Sequence, residues 1–178
     1  MPKVELRAFQ SEAHGSLVAR WLKQPHVIRW WGDPESNRSE LRERREGTQA
    51  IITLDGKPVG YLCWQSPSPR ELEAAGLTDL PGDLIDVDIM IGEPRALGQG
   101  VGPEALRRLF ARLRATGASV VGVATAVANQ RASSAYVKAG LRPFREFLER
   151  GERYRYFTKR LLETARPGGS ADAAMRQG

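Results

Sequence analysis

The stretch from Asp86 to Gly102, DVDIMIGEPRALGQGVG, constrains the fold most, because a strand, a glycine turn and a helix start follow one another without a break. From Leu84 to Ile91 the residues alternate. Ile85, Val87, Ile89 and Ile91 fall on one face of a strand, and Leu84, Asp86, Asp88 and Met90 on the other. Two carboxylates therefore point the same way, roughly 6.5 to 7 Å apart. At that spacing each raises the other's pKa, and one of them can serve as a base. After Pro94 come Arg95, Gly98, Gly100 and Gly102, then Val101, Ala105, Leu106, Leu109, Phe110 and Leu113 at helical spacing. Residues without a Cβ let the backbone approach a ligand, and the first free N–H groups of a helix attract an anion. A pyrophosphate suits such a turn. The spacing is neither the dinucleotide fingerprint nor a P-loop, since Gly102 is followed by Pro103.

With 178 residues and 41% hydrophobic content, the chain can bury one good-sized core, and one domain is expected. The single cysteine, Cys63, excludes an intramolecular disulfide and suits a reducing compartment; its apolar strand context predicts a buried thiol. Two histidines and one cysteine make no zinc site, and no metal is expected. The N-terminus lacks the apolar run of a signal peptide, and no run approaches the roughly 20 apolar residues that span a bilayer. A soluble, cytoplasmic protein, monomer or homodimer, is expected, with no membrane partner.

The net charge of +6 would by itself permit a nucleic-acid partner. Its distribution argues against one. Glu71, Glu73, Asp79, Asp83, Asp86, Asp88 and Glu93 stand together with no Lys or Arg between 71 and 93, while 95 to 114 carries Arg95, Arg107, Arg108, Arg112 and Arg114 against Glu104. An acidic wall beside a basic one suits a cationic acceptor meeting an anionic cofactor.

Along the chain, Val4 to Phe9 reads as an edge strand and Ser11 to Leu22 as an amphipathic helix ended by Pro25. Trp30 and Trp31 cannot both point into one core from a regular element, so at least one is expected to face a cleft. Glu35 to Glu46 reads as an exposed helix whose charges serve solvation. Thr48 to Leu54 and Pro58 to Gln65 form a hairpin around Asp55-Gly56. Residues 66 to 82 read as a long loop. Ser119 to Ala124 is a continuous apolar strand, and Asn129 caps a helix that Gly140 ends. Tyr136 lies about two turns beyond Asn129, on the same face. Arg142 to Glu149 and Arg153 to Arg160 form a terminal hairpin. Residues 163–178 read as a flexible C-terminal tail after a domain at 1–162.

Arg95-x-x-Gly98-x-Gly100 resembles the acetyl-coenzyme A signature of the Gcn5-related N-acetyltransferase superfamily. Within it, the chain looks most like the aminoglycoside 6'-N-acetyltransferases, through Trp21-Leu22, Pro25-His26-Val27, Trp30-Trp31-Gly32, Gly56-Lys57-Pro58-Val59-Gly60-Tyr61, Asn129-x-Arg131-Ala132 and Tyr136-x-Lys138-Ala139-Gly140. The resemblance implies an α/β fold, a mixed sheet of about six to seven strands flanked by about four helices. It implies acetyl-CoA as cosubstrate and a small cationic amine as acceptor.

The resemblance also distributes roles. Asp88 takes the position of the acidic base, and Asp86 would hold a neighbouring ammonium. Tyr136 would assist the departing thiolate, and Asn129 would contact the pantetheine arm. The Met90 and Ile91 backbone would receive the oxyanion. Arg95, Gly98, Gln99, Gly100, Val101 and Gly102 would cradle the diphosphate. Trp30, Trp31 and Asp83 would line the acceptor side. One departure weakens the antibiotic as acceptor: where several aminoglycoside enzymes place a further acid, this chain reads Ala124-Thr125-Ala126-Val127-Ala128. Two alternatives stand beside the aminoglycoside 6'-amine: acylation of a hydroxylysine-type siderophore precursor, and a non-catalytic nucleic-acid-binding module.

Overall fold

A computed structural model describes residues 1–163, so the tail expected at 163–178 lies outside the described residues except for Glu163. The elements run β1 (Val4–Ala8), α1 (Ser11–Leu22), α2 (Pro25–Trp31), α3 (Pro34–Glu43), β2 (Gln49–Leu54), β3 (Lys57–Gln65), α4 (Pro69–Ala74), β4 (Ile85–Ile91), a 3-10 turn (Pro94–Ala96), α5 (Val101–Ala115), β5 (Val120–Ala126), α6 (Gln130–Lys138), β6 (Arg142–Glu149) and β7 (Glu152–Arg160). The strands form one seven-stranded sheet in the order β1-β2-β3-β4-β5-β7-β6. The pairing is antiparallel throughout except between β4 and β5.

Two helices go beyond the expected set. Pro25 stops α1 but also occupies the first turn of α2, where its missing N–H costs nothing. The loop expected at 66–82 contains α4. Ser68 accepts from the Glu71 amide and the Glu71 carboxylate accepts from the Ser68 amide, a reciprocal cap that can be read as Ser-x-x-Glu.

The alternation along β4 sets the two layers of the core. Val87 joins Leu62, Val101, Leu106 and Leu109 under α5. Met90 joins Tyr61, Cys63, Val18 and Trp21 under α1. Each fully buried large side chain contributes on the order of 1.5–3 kcal/mol. Trp21 lies across Gly92, where an added Cβ would come within 2.1 Å of the indole, so only glycine lets the ring close over the strand end. Cys63 is buried as expected, and burial first, then the charge of Asp88, pushes its thiol up to about 12. Among the described residues no helix is long and apolar enough to cross a membrane.

The feature that positions the site is where β4 and β5 part. Only Ile85 with Val121 and Asp86 with Gly122 are paired. β5 continues alongside β7 to Ala126, while β4 continues alongside β3 to Ile91. A wedge therefore opens in the sheet from Asp88 onward.

Candidate active site

The backbone of β4 shows which groups face this wedge. The Trp64 amide donates to the Thr48 carbonyl at 3.0 Å, so Trp64, Leu62 and Gly60 direct their backbone groups to β2 and Tyr61 and Cys63 direct theirs to β4. Opposite them, Met90 and Asp88 turn their amides to β3. Ile89 and Ile91 turn theirs to the side that β5 has left. Of the two residues expected to offer an oxyanion donor, Ile91 has an amide aimed into the wedge, as Ile89 does, while the Met90 amide faces β3. The Ile91 carbonyl accepts from His26 Nε2 at 2.9 Å, which ties α2 to the end of β4.

The side chains of Asp86 and Asp88 leave the strand on the other axis. Tyr156 donates its hydroxyl to Asp86 Oδ1 at 2.8 Å, crossing β5 at Gly122, where an added Cβ would lie 2.1 Å from that hydroxyl. Burial and the charge of Asp88 push Asp86 up to about 7, against the opposing hydrogen bond from Tyr156. Asp88 receives Arg44 Nη2 at 3.2 Å. Burial raises its pKa, and the Arg44 guanidinium pulls it back down. The carboxyl side chain is 47% exposed, whereas the Arg44 side chain is only 13% exposed, so solvent reaches Asp88 from the open side.

Tyr136 packs edge-on against Phe157 with ring centroids 5.5 Å apart and is buried. Burial raises its hydroxyl pKa, and the charges of Asp88 and Asp86 raise it further. Asn129 caps α6 by accepting from the Ala132 amide at 3.2 Å.

Beyond the wedge, Gly98 and Gly100 have φ of +77° and +75°, a left-handed backbone that glycine adopts freely, and an added Cβ on either would meet nothing within 4 Å. Among the described residues, no amide from Gly98 to Gly102 donates to a backbone carbonyl, and no side chain caps α5. Gln99 Nε2 holds the Arg95 carbonyl at 2.6 Å, which stiffens the turn. Arg95 is exposed, and the Val101 side chain is buried, so Val101 can offer a ligand its amide alone. These free donors at the start of a 15-residue helix fit a diphosphate. Gly100→Val would force a β-branched residue to positive φ and place methyl groups over the donors. An increase of about 10-fold in the Kd for coenzyme A, measured by titration calorimetry, is expected.

The acceptor side differs from the sequence expectation. Trp31 packs on the core under α1, and the ring face of Trp30 carries the Arg29 guanidinium at 4.7 Å. Asp83 accepts from the Ser119 amide at 3.1 Å and so fixes the start of β5. The acidic wall is largely engaged from within. Glu71 caps α4, Asp79 takes both Nη atoms of Arg145, and Glu93 takes Arg20 and the Trp21 indole. Arg44, expected to serve solvation, belongs to the site, and Tyr156 was not singled out. A lone glycine in the apolar β5 run was the available sign that another group approaches there.

The protein is an α/β domain whose single sheet opens beside an anion-ready turn, with two carboxylates at the opening. The family model described as an acetyltransferase (GNAT) domain matches residues 10–148, and the chain belongs to that family of N-acetyltransferases. Among solved structures, the aminoglycoside acetyltransferase AAC(6')-Ib in complex with coenzyme A is similar at 20% identity and TM-score 0.73, over 89% of this chain and 95% of that one. The aminoglycoside N(6')-acetyltransferase of Legionella pneumophila is similar at 17% identity and TM-score 0.69, over 89% and 92%. At such identities the likeness is one of fold. No curated protein sequence matches the chain.

Proposed function

We propose that this protein transfers the acetyl group of acetyl-CoA to the primary amine of a small cationic acceptor, with an aminoglycoside 6'-amine as the acceptor to try first. The observation that carries this reading is the juxtaposition at the wedge. The carboxylates of Asp86 and Asp88 stand where β4 parts from β5, and among the described residues the amides of Ile89 and Ile91 face the gap without a strand partner. Acetyl-CoA supplies the activated acyl group.

The chain's residues would supply the rest. An amine arrives mostly as ammonium near neutral pH, and the Asp86–Asp88 pair binds it and takes its proton. The freed nitrogen attacks the thioester carbonyl as the C–S bond breaks. The Ile89 and Ile91 amides face the developing oxyanion, and Tyr136 provides the proton or hydrogen bond for the sulfur. Structural neighbours determined in complex with kanamycin or ribostamycin support the choice of acceptor class.

Thiol release from acetyl-CoA over an acceptor panel tests the proposal. Release with kanamycin and tobramycin is the expected result. Release with N6-hydroxylysine alone would move the assignment to siderophore-type acylation. No release with any amine, together with steeply salt-dependent DNA binding, would replace catalysis with nucleic-acid binding.

A further inference from the structure

The two carboxylates of β4 have unlike partners, and one of those partners is a cation. Arg44 sits at the C-terminal end of α3, with Nη2 on Asp88 Oδ2 at 3.2 Å and Nη1 on Gln65 Oε1 at 3.3 Å. Among the described residues, its Nε is buried without a partner. The guanidinium is therefore a desolvated, built-in positive charge at the acceptor side of the wedge, held by α3 rather than borrowed from a mobile loop.

Without Arg44, two carboxylates on one strand face, roughly 7 Å apart, would anchor two ammonium groups of one polycation. With it, one of the two negative charges is already answered. A second ammonium arriving beside the reacting amine meets a like charge in a partly dry site, where water screens it poorly. Of the other acids whose charges reach the pair, Glu71 is tied to Ser68 at the cap of α4 and Glu40 is exposed, where water screens it.

We infer that Arg44 is a specificity-determining residue that limits the acceptor to one ammonium at β4, so the site takes amines whose reacting nitrogen is their only nearby positive charge. This rests on the proposed acetyl transfer and narrows its acceptor class. An aminoglycoside then reacts through a 6'-amine whose companion amines gain nothing from β4, and a sugar bearing a single 6-amine is an equal or better substrate.

The test compares kcat/KM for methyl 6-amino-6-deoxyglucoside, with one amine, and kanamycin, with several. The wild-type protein is expected to use the single-amine sugar at least as well as kanamycin. Arg44→Gln is expected to shift the ratio toward kanamycin by about 10-fold or more, and Arg44→Lys, which keeps the charge, is expected to hold the wild-type ratio. Kanamycin should also raise the Tm of the Arg44→Gln protein more than that of the wild type, a reading that needs no turnover. A wild-type preference for kanamycin above about 10-fold, or a ratio equal in all three proteins, overturns the inference while leaving acetyl transfer in place. Absence of turnover with every amine in every protein overturns the proposed function, and this inference with it.

Discussion

Asp88→Asn is expected to lower kcat for amine acetylation by about 10²- to 10⁴-fold, the range in which positioned acid–base groups act. The substitution keeps the shape and leaves an amide oxygen for Arg44 Nη2, which now stands 3.2 Å from the carboxylate. It removes the negative charge proposed to bind an ammonium and the lone pair proposed to take its proton. Coenzyme A affinity should be unchanged, because the glycine turn and Arg95 lie beyond the end of β4. The measurement is steady-state thiol release with the best acceptor, alongside calorimetric titration of coenzyme A. A variant that keeps kcat and only raises KM would make Asp88 an anchor and leave the proton to another group. Parallel loss of coenzyme A binding would mean that the wedge had collapsed.

Some of this arrangement could be read from the chain because it is written in local patterns. The strict alternation from Leu84 to Ile91 places Asp86 and Asp88 on one face whatever the rest of the fold does, and β4 keeps it, with Val87 in one core layer and Met90 in the other. Asp55-Gly56 specifies its hairpin through positive φ at both residues, as found. The glycine turn was likewise local. Arg44 was not readable, since it stands in a run of charges on α3 and its role depends on where the end of that helix lands relative to β4. Tyr156 presents the same difficulty across β5. Asp83, Asp79 and Glu93 looked like free charge in the sequence and proved to be tied to Ser119, Arg145 and Arg20, partners 36, 66 and 73 residues away. Chain separation of that kind leaves no periodicity to read. The paired tryptophans were half informative: the pattern required different surroundings for the two rings, and Trp31 lies on the core while Trp30 stacks under Arg29.

The protein is expected to lose stability as pH rises from about 4 to 7, with Asp86 as the main cause. In the folded chain Asp86 holds its proton up to about 7, against 3.8 for an ordinary aspartate. Between those values the folded state binds more protons than the unfolded state, so folding is favoured at the acid end of the window. The advantage is gone once pH exceeds the folded value. The effect is on the order of 2 kcal/mol, or about 4–8 °C in Tm for a domain of this size. Carboxylates held low by their partners, such as Asp79 by Arg145 and Asp33 by Ser36, act in the opposite sense, but only as pH falls below the ordinary aspartate value. Their effect is therefore separated from that of Asp86 along the pH axis. Thermal melts at pH 5, 6, 7 and 8 should show the decline in the wild type and a shallower one in Asp86→Asn, where only the raised Asp88 remains. Tyr156→Phe removes a donor that favours the ionised form, so it should move the midpoint of the decline upward. The same proton governs catalysis in reverse: kcat/KM should rise through about pH 7 as the Asp86–Asp88 pair becomes able to accept a proton from the ammonium. A protein that is most stable where it is least active, with both trends weakened by one isosteric substitution, would mean that strand β4 holds its carboxylate charge at the expense of the fold. A flat melting profile in the wild type would mean that Asp86 is ionised throughout and that Tyr156 outweighs its burial.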